Sequence, residues 1–169
     1  GCQDWEALRE QARAVKEETL MRLDEHLEAF SSRAEEAGAR IHWARDAEEA
    51  CKVVAGIART CNATRLVKSK SMTTEEIHLN AALETSGMDP VETDLGEWII
   101  QLAGETPSHI IAPAIHKSKE QISELFVEKL AIEPTDEVEE LASTARKALR
   151  RHFAESHLGV SGVNFAIAE

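Results

Sequence analysis

Cysteine, aromatic residues and long apolar runs are scarce in this sequence of 169 residues. It holds three cysteines and no tyrosine, and aromatic residues make up 4% of it. An odd number of cysteines without a CxxC spacing argues against a disulfide framework. No apolar run approaches the roughly 20 residues that span a bilayer, and no signal-peptide pattern is visible, so we expect a cytoplasmic protein without a membrane span.

Positive charge is also in short supply. Nineteen Lys and Arg residues stand against 31 Asp and Glu residues, which gives a net charge of -12. Such a balance repels phosphate backbones and anionic lipid. Binding to nucleic acid or to a membrane surface is therefore not expected.

Familiar catalytic signatures are missing as well. There is no G-x-G-x-x-G after a strand, no Walker A loop and no H-E-x-x-H. Residues 159–163 (GVSGV) are one residue off the G-x-S-x-G elbow and precede a predicted strand, which argues against a serine hydrolase. His109 and His116 are expected at opposite ends of one strand, so we predict no metal site.

The first part of the chain has helical periodicity. Apolar residues recur at spacings of three and four through residues 4–37, and Gly38 ends the pattern. One uninterrupted helix would be about 50 Å long at ~1.5 Å per residue, longer than the domain that follows. It either bends or breaks over its own sheet, or it offers a surface to a second subunit or partner. We predict an N-terminal amphipathic helix over residues 1–38 and an α/β domain over residues 39–169.

Strand and helix patterns alternate through that second part. The predicted helices cover residues 47–60, 73–87 and 98–104, a stretch after Ser118, and residues 136–156. Cys51 and Cys61 fall on one face of the first and are expected to be buried thiols. The alternation predicts a mostly parallel sheet with helices on both faces, and ligands bind beyond the carboxyl ends of such strands. The predicted strands are residues 40–44, 65–69, 90–93, 109–112 and, after a turn at 159–162, residues 163–167.

Cations and hydroxyls gather at one predicted sheet edge. The run Lys68-Ser69-Lys70-Ser71 precedes a helix whose predicted capping box is Thr73 with Glu76, and Lys117, with Arg45 as a further candidate, lies in loops at the same edge. Against a net charge of -12 this indicates a carboxylate or phosphate site. The alternative is that these lysines are only solvated surface residues.

Asp94 and Glu97 form another predicted capping box, and Glu97 suits a general base if it is turned inward.

Linked blocks of this sequence resemble one known family. The blocks Val67-Lys68-Ser69-Lys70-Ser71-Met72, Val91-Glu92-Thr93-Asp94-Leu95-Gly96-Glu97, Ala112-Pro113-Ala114-Ile115-His116-Lys117 and Gly159-Val160-Ser161-Gly162-Val163-Asn164-Phe165 are similar to the lactate utilization protein B family. The resemblance implies a LUD domain, with a fold similar to the ribose-phosphate isomerase and CoA-transferase group. It also implies a part in a multi-protein system that oxidises L-lactate to pyruvate, and hence partner subunits.

The resemblance has one large exception. Full-length family members carry a C-terminal part with cysteine motifs for [4Fe-4S] clusters, and no such motif occurs in this sequence. The family also continues beyond the position of Glu169, so we expect a domain that is C-terminally incomplete relative to the family. Clusters and electron transfer are therefore implied for a parent protein, and no cofactor is expected in these residues.

Candidate ligand residues come from the matching blocks. Lys68, Ser69, Lys70 and Ser71 are the predicted anion cradle. Other predicted members are Thr93, Asp94, His116 and Lys117 on neighbouring loops and Asn164 and Glu169 from the last strand. The last two could equally serve only to satisfy backbone groups at the strand end. No catalytic residue is assigned.

Three hypotheses of function follow. The first is an N-terminal LUD domain of an iron–sulfur electron-transfer protein in L-lactate oxidation, which binds a small carboxylate or phosphate or a partner subunit. The second is a stand-alone isomerase or CoA-transferase-like enzyme acting on a phosphorylated or thioester ligand. The third is a scaffold that uses the N-terminal helix, for instance to form a homo-oligomer. Whether the domain is itself catalytic stays open.

Overall fold

The computed structural model describes residues 4–162 of the chain. The predicted strand at residues 163–167, and with it Asn164 and Glu169, lies outside the described residues. The chain divides into two compact units, one up to Trp43 and one from Ala44 onward. The domain boundary that we predict after residue 38 stays a prediction.

Two helices, α1 (Trp5–Met21) and α2 (Leu23–Glu36), make up the first unit. The predicted long N-terminal helix is confirmed over α1, and Arg22, with φ -120° and ψ 28°, interrupts its continuation into α2. Neither helix buries a residue. Charged side chains of these helices form ion pairs three and four positions apart, such as Arg13 with Glu17 at 2.7 Å.

Among the described residues of the second unit, three parallel strands form its centre, in the order β2-β1-β3. The prediction of an α/β fold with a parallel sheet is confirmed. In chain order the elements are α3 (Ala47–Thr60), β1 (Arg65–Lys68), α4 (Met72–Glu76), α5 (Leu79–Thr85), β2 (Asp89–Glu92), α6 (Leu95–Ala103), α7 (Lys119–Leu130), α8 (Val138–Glu155) and β3 (Leu158–Val160).

Helices cover both faces of the sheet, as predicted. Successive side chains of a strand point to opposite faces, so Leu66 and Val67 of β1 belong to different cores. Leu66 packs with buried residues of α3 and α5, such as Ala58 and Leu83. Val67 packs against a second core built from β2, α6, α7 and α8, whose members include Val91, Trp98, Phe126, Leu141 and Ala145.

Three of the four predicted helix caps are confirmed. Asp46, Asp94 and Ser118 are the N-caps of α3, α6 and α7, and each side chain accepts backbone N–H bonds. The predicted cap at Thr73 is wrong, because Ser71 caps α4 and its Oγ accepts from Thr74 N at 3.3 Å. The predicted helix over residues 73–87 is broken at His78, which adopts a left-handed conformation with φ 53°.

Two predicted strands are wrong. Residues 40–44 are irregular, and residues 109–112 form bends. In the second segment the N–H groups of Ile111 and Ala112 both donate to His109 Nδ1 at 3.1 Å, so they are not used in a sheet ladder. Ile111 is 82% exposed, so the apolar pattern there does not mark a buried strand.

The last described segment also differs from the prediction. Residues 158–160, partly predicted as a turn, form β3, which pairs with β1 through Leu66 and Leu158. Within residues 4–162 no helix is long and apolar enough to cross a membrane.

Candidate functional site

Lys68 and Glu92 form a buried ion pair at the carboxyl edge of the sheet. They end the neighbouring strands β1 and β2 and are Cα partners in the parallel register. Residues that are partners in register point to the same face, so the two side chains meet. Lys68 Nζ lies 2.8 Å from Glu92 Oε1, and the side chains are 2% and 7% exposed.

Helices α4 and α5 complete this pair. Lys68 Nζ also donates to Thr74 Oγ1 at 3.0 Å, and Asn80 Nδ2 donates to Glu92 Oε1 at 2.7 Å. Glu92 Oε2 and Asn80 Oδ1 are buried and have no hydrogen-bond partner among the described residues.

Lys70 and Glu97 form a second ion pair, which links the loop after β1 to the first turn of α6. Glu97 is turned inward, as the general-base hypothesis requires, with a side chain 6% exposed against 26% for Lys70. Desolvation and the charge of Glu97 raise the pKa of Glu75 above its ordinary value, while Lys70 and Lys68 oppose that rise. Glu75 therefore belongs to the same electrostatic neighbourhood.

The charges of the predicted anion cradle are thus compensated within the protein. Two ammonium groups, Lys68 and Lys70, face the carboxylates of Glu92 and Glu97, and ionised Glu75 would add a third negative charge. Of the two lysines only Lys70 has appreciable exposure. A ligand carboxylate or phosphate would have to compete with Glu97 for that ammonium.

Ser69 and Ser71 face different neighbours. Ser69 Oγ donates to Ser161 Oγ at 3.2 Å, and Ser69 N donates to Val160 O at 2.9 Å. Ser71 is buried at the start of α4, which has only five residues and hence a weak helix dipole. A Cβ built on Gly162 would lie 1.9 Å from Ser71 Oγ, so the chain after β3 packs directly on this serine.

Thr93 and Asp94 follow β2 and are engaged with backbone groups. Thr93 donates to Lys68 O twice, from N at 2.9 Å and from Oγ1 at 3.0 Å. Asp94 Oδ1 accepts from Gly96 N and Glu97 N at 3.1 and 3.3 Å. Asp94 therefore sets the start of α6 and, with it, the position of Glu97.

His116 and Lys117 lie in a separate cluster on the loop after α6. His116 Nδ1 lies 2.7 Å from Ser108 Oγ, and His116 Nε2 lies 2.9 Å from Glu105 Oε2. Lys117 Nζ donates to Glu105 Oε1 at 2.6 Å. The hydrogen bond from Lys117, and after it that with His116, lowers the pKa of Glu105 below its ordinary value. Within residues 4–162 neither side chain hydrogen-bonds to Lys68 or Lys70, and Arg45 pairs with Glu49 instead.

A cavity of about 430 Å³ opens at the carboxyl ends of the strands, on the sheet face opposite Lys68. It combines hydroxyl groups of three neighbouring strand ends with apolar walls. Its lining consists of Val67, Ser69, Thr93, Phe153, Gly159, Val160 and Ser161. Of the predicted site residues, Ser69 and Thr93 reach this cavity.

The described residues do not fit an iron–sulfur cluster. A [4Fe-4S] cluster is held by four thiolates. The sequence has three cysteines, of which Cys51 is buried and Cys61 exposed. The prediction that both are buried is therefore wrong for Cys61. In the part of the chain that is described, no three His, Cys, Asp or Glu side chains are grouped to hold a metal ion.

Several residues of this site escaped sequence reasoning. Thr74, Asn80 and Glu92 were not predicted, although Glu92 lies within a block used for the resemblance. Ser161 belongs to the imperfect hydrolase motif and to a block used for the resemblance, but it is not among the predicted site residues. These residues share one feature that could have marked them in the sequence. Each is polar and lies at the end of a strand, just beyond it, or in the helical segment that follows, where ligands of parallel sheets bind.

These observations define a small parallel α/β domain with a buried charged network and a hydroxyl-lined cavity at its strand ends. Residues 27–169 match the profile of the LUD domain. The chain belongs to the LUD domain family. No solved structure matches it.

The chain is similar to several proteins named Lactate utilization protein B. It is 45% identical to the protein of Oceanobacillus iheyensis over 166 residues, which is 98% of this chain and 35% of that protein. Identities are 45% for the protein of a Geobacillus species and 43% for that of Bacillus cytotoxicus, with the same shares covered. The chain thus spans about a third of the length of these curated relatives.

Proposed function

We propose that this chain is the N-terminal LUD domain of a protein that serves lactate utilization, within a multi-protein system that oxidises L-lactate to pyruvate. The supporting observation is 43–45% identity over 98% of the chain to proteins named for lactate utilization. Electron transfer through [4Fe-4S] clusters belongs in this proposal to other parts of the parent protein, because this chain lacks the thiolates.

We assign the strand-end cavity as the place where a small carboxylate or phosphate binds. It lies beyond the carboxyl ends of parallel strands, where ligands of such sheets bind. Ser161 Oγ accepts from Ser69 Oγ and can donate its own proton to a ligand oxygen, whereas Thr93 Oγ1 donates to Lys68 O. Lys70, which is not part of the cavity lining, is the partly exposed cation of the same loop. Lys68 has a structural role in this proposal, since Glu92 and Thr74 already hold its ammonium group. Asn164 and Glu169 stay proposed members of the site.

Growth on L-lactate tests the first part of the proposal. The gene for the intact protein is deleted in its host, and the strain is complemented with the wild type or with Ser69→Ala combined with Ser161→Ala. We expect growth on L-lactate as sole carbon source to need the gene and to slow with the double variant. Thr85→Ala, an exposed hydroxyl on α5, is the matched control. Normal growth of the deletion strain on L-lactate would refute the proposal.

Calorimetry on the intact protein tests the ligand separately. L-lactate, pyruvate and inorganic phosphate are titrated into the wild type and into Lys70→Ala. We expect one of these anions to bind and the variant to bind it about tenfold more weakly, as for a lost charge-assisted hydrogen bond. If none binds while growth depends on the gene, the ligand assignment fails and the lactate role stands.

A proton-transfer enzyme of the isomerase or CoA-transferase-like kind is the second candidate. The observation that favours it is the inward carboxylate of Glu97 beside Lys70, with Glu75 nearby. Sugar phosphates and CoA esters are assayed with the intact protein and with Glu97→Gln. Turnover that Glu97→Gln abolishes would support this candidate over a purely binding domain.

A further inference from the structure

The second half of α8 is positively charged, in contrast to the chain as a whole. Arg146, Lys147, Arg150 and Arg151 occur within six residues, and no Asp or Glu lies between Glu140 and Glu155. The whole chain has a net charge of -12. Cations in the last turn of a helix favour its dipole, but Arg146 lies more than two turns before the end at Glu155. The dipole therefore does not account for the cluster.

These four cations have no ion-pair or hydrogen-bond partner among residues 4–162, as the ion pairs and hydrogen bonds of the structure show. The arginines of α1 behave differently. Arg9 and Arg13, for example, are paired with glutamates three or four positions away. The α8 cations are thus available to carboxylates from outside the described part of the chain.

A groove of about 750 Å³ runs along the same stripe of the helix. Its lining residues, which we call the α8 groove, are Ser143, Arg146, Lys147, Leu149, Arg150 and Phe153. They recur three and four positions apart, the spacing of one helix face. Phe153 is 54% exposed, so a large apolar ring lies beside the guanidinium groups. Arginine and aromatic side chains together are typical of the energetic centre of protein interfaces.

We propose that the α8 groove binds an acidic amphipathic helix of a partner protein. Carboxylates of that helix would pair with Arg146, Lys147 and Arg150, and its apolar stripe would cover Phe153 and Leu149. The groove extends from Ser143 to Phe153, about 15 Å at a rise of ~1.5 Å per residue, which matches nearly three turns of a docked helix. A protein helix is favoured over nucleic acid and membrane because it can present carboxylates to the cations and apolar side chains to Phe153 and Leu149 at the same helical spacing.

Phe153 connects this groove to the proposed ligand site. It also lines the strand-end cavity together with Ser69, Thr93 and Ser161. A helix on the α8 groove would therefore lie next to that cavity. The inference itself does not depend on lactate being the ligand.

Binding of a defined peptide to the intact protein tests the inference. The probe is a labelled helical peptide of leucine and glutamate, about 18 residues long, with leucines three and four positions apart. We expect saturable binding that weakens with salt, that falls about tenfold or more in Arg146→Gln with Arg150→Gln, and that also falls in Phe153→Ala. The same peptide with lysine in place of glutamate should not bind. Circular dichroism confirms that the variants fold.

The control variant removes equal charge elsewhere. Arg33→Gln with Arg40→Gln neutralises two exposed cations outside α8 and should leave peptide binding unchanged. A short DNA duplex and phosphatidylglycerol vesicles are measured alongside. The inference is overturned if the glutamate peptide does not bind, if the control pair weakens binding as much as the α8 pair, or if only DNA or vesicles bind through the α8 residues.

Discussion

Lys68 and Glu92 end two neighbouring parallel strands in register, and their side chains form an ion pair of 2.8 Å below the protein surface. Lys68 was predicted to bind an external anion. In the structure its ammonium group instead pairs with the carboxylate of Glu92 in the same chain. The free energy of unfolding must therefore depend on the pair, since each charge is buried with its partner.

Replacing Lys68 alone should be strongly destabilising. Lys68→Met leaves the carboxylate of Glu92 buried without its counter-ion, and Glu92 Oε2 already has no hydrogen-bond partner among residues 4–162. We expect a loss of about 3–5 kcal/mol in the free energy of unfolding, measured by urea titration. Lys68→Met combined with Glu92→Leu should recover most of that loss. Equal losses in the single and double variants would show that the two residues are not coupled.

Gly162 should tolerate no side chain. A Cβ there would lie 1.9 Å from Oγ and 2.3 Å from Cβ of Ser71. Gly162→Ala is expected to lower the free energy of unfolding by about 1–3 kcal/mol through overpacking. Gly159→Ala is the matched control, because in the described part of the chain no atom beyond its two sequence neighbours lies within 4 Å of the added Cβ. It should change stability by no more than about 0.5 kcal/mol. Similar losses in both variants would contradict the packing of Gly162 on Ser71.

Glu75 should make stability depend on pH. Its pKa in the folded protein is raised above the ordinary 4.5, first by desolvation and then by Glu97, so the folded state holds the proton more tightly than the unfolded chain. That contribution is complete below the unfolded pKa and is lost as the pH rises through the folded pKa. Glu75→Gln should therefore stabilise the protein relative to wild type at about pH 7 more than at about pH 3.5.

Urea unfolding at the two pH values measures this effect. Glu76→Gln removes the same charge one position along α4 and is the control. If both variants show the same pH dependence, the environment of Glu75 is not responsible. A greater benefit of Glu75→Gln at the acidic pH would reverse the sign and refute the assignment.

The two described cysteines should differ in reactivity. Cys51 is buried, its Sγ donates to Ile77 O at 3.3 Å, and burial raises the pKa of its thiol, whereas Cys61 is exposed. Since the thiolate is the reactive form, iodoacetamide should modify Cys61 at least about tenfold faster than Cys51. Peptide mass spectrometry reads each site separately, and urea should remove the difference. Fast labelling of Cys51 in the folded protein would contradict its burial.

Local chemistry made part of the fold predictable. Strand and cap patterns depend on residues only a few positions apart. The predictions are confirmed for the strands at residues 65–68 and 89–92 and for the caps Asp46, Asp94 and Ser118. Competing local signals caused the errors. Ser71 and Thr73 both suit a cap, and only the bond from Thr74 N to Ser71 Oγ decides between them. Residues 109–112 look like a strand but are bends with an exposed Ile111.

The candidate site was predictable in its location but not in its charge balance. Strand–loop–helix order alone indicates that polar residues after β1 and β2 meet at one edge, because the carboxyl ends of parallel strands lie together. The partners of the lysines lie 24 and 27 positions away, in β2 and α6. Pairing at such separations depends on strand register and helix placement, which no short pattern encodes.

The sequence by itself determined the α/β class, the parallel strands at residues 65–68 and 89–92 and the family that its linked blocks resemble. Only the tertiary structure decided that Lys68 and Lys70 are neutralised by Glu92 and Glu97, that Ser69, Thr93 and Ser161 share a cavity, and that the α8 cations have no partner within residues 4–162. The physical reason is the distance along the sequence over which each kind of interaction acts. Periodicity and capping act over about four residues, whereas burial and ion pairing depend on which distant elements the sheet brings together.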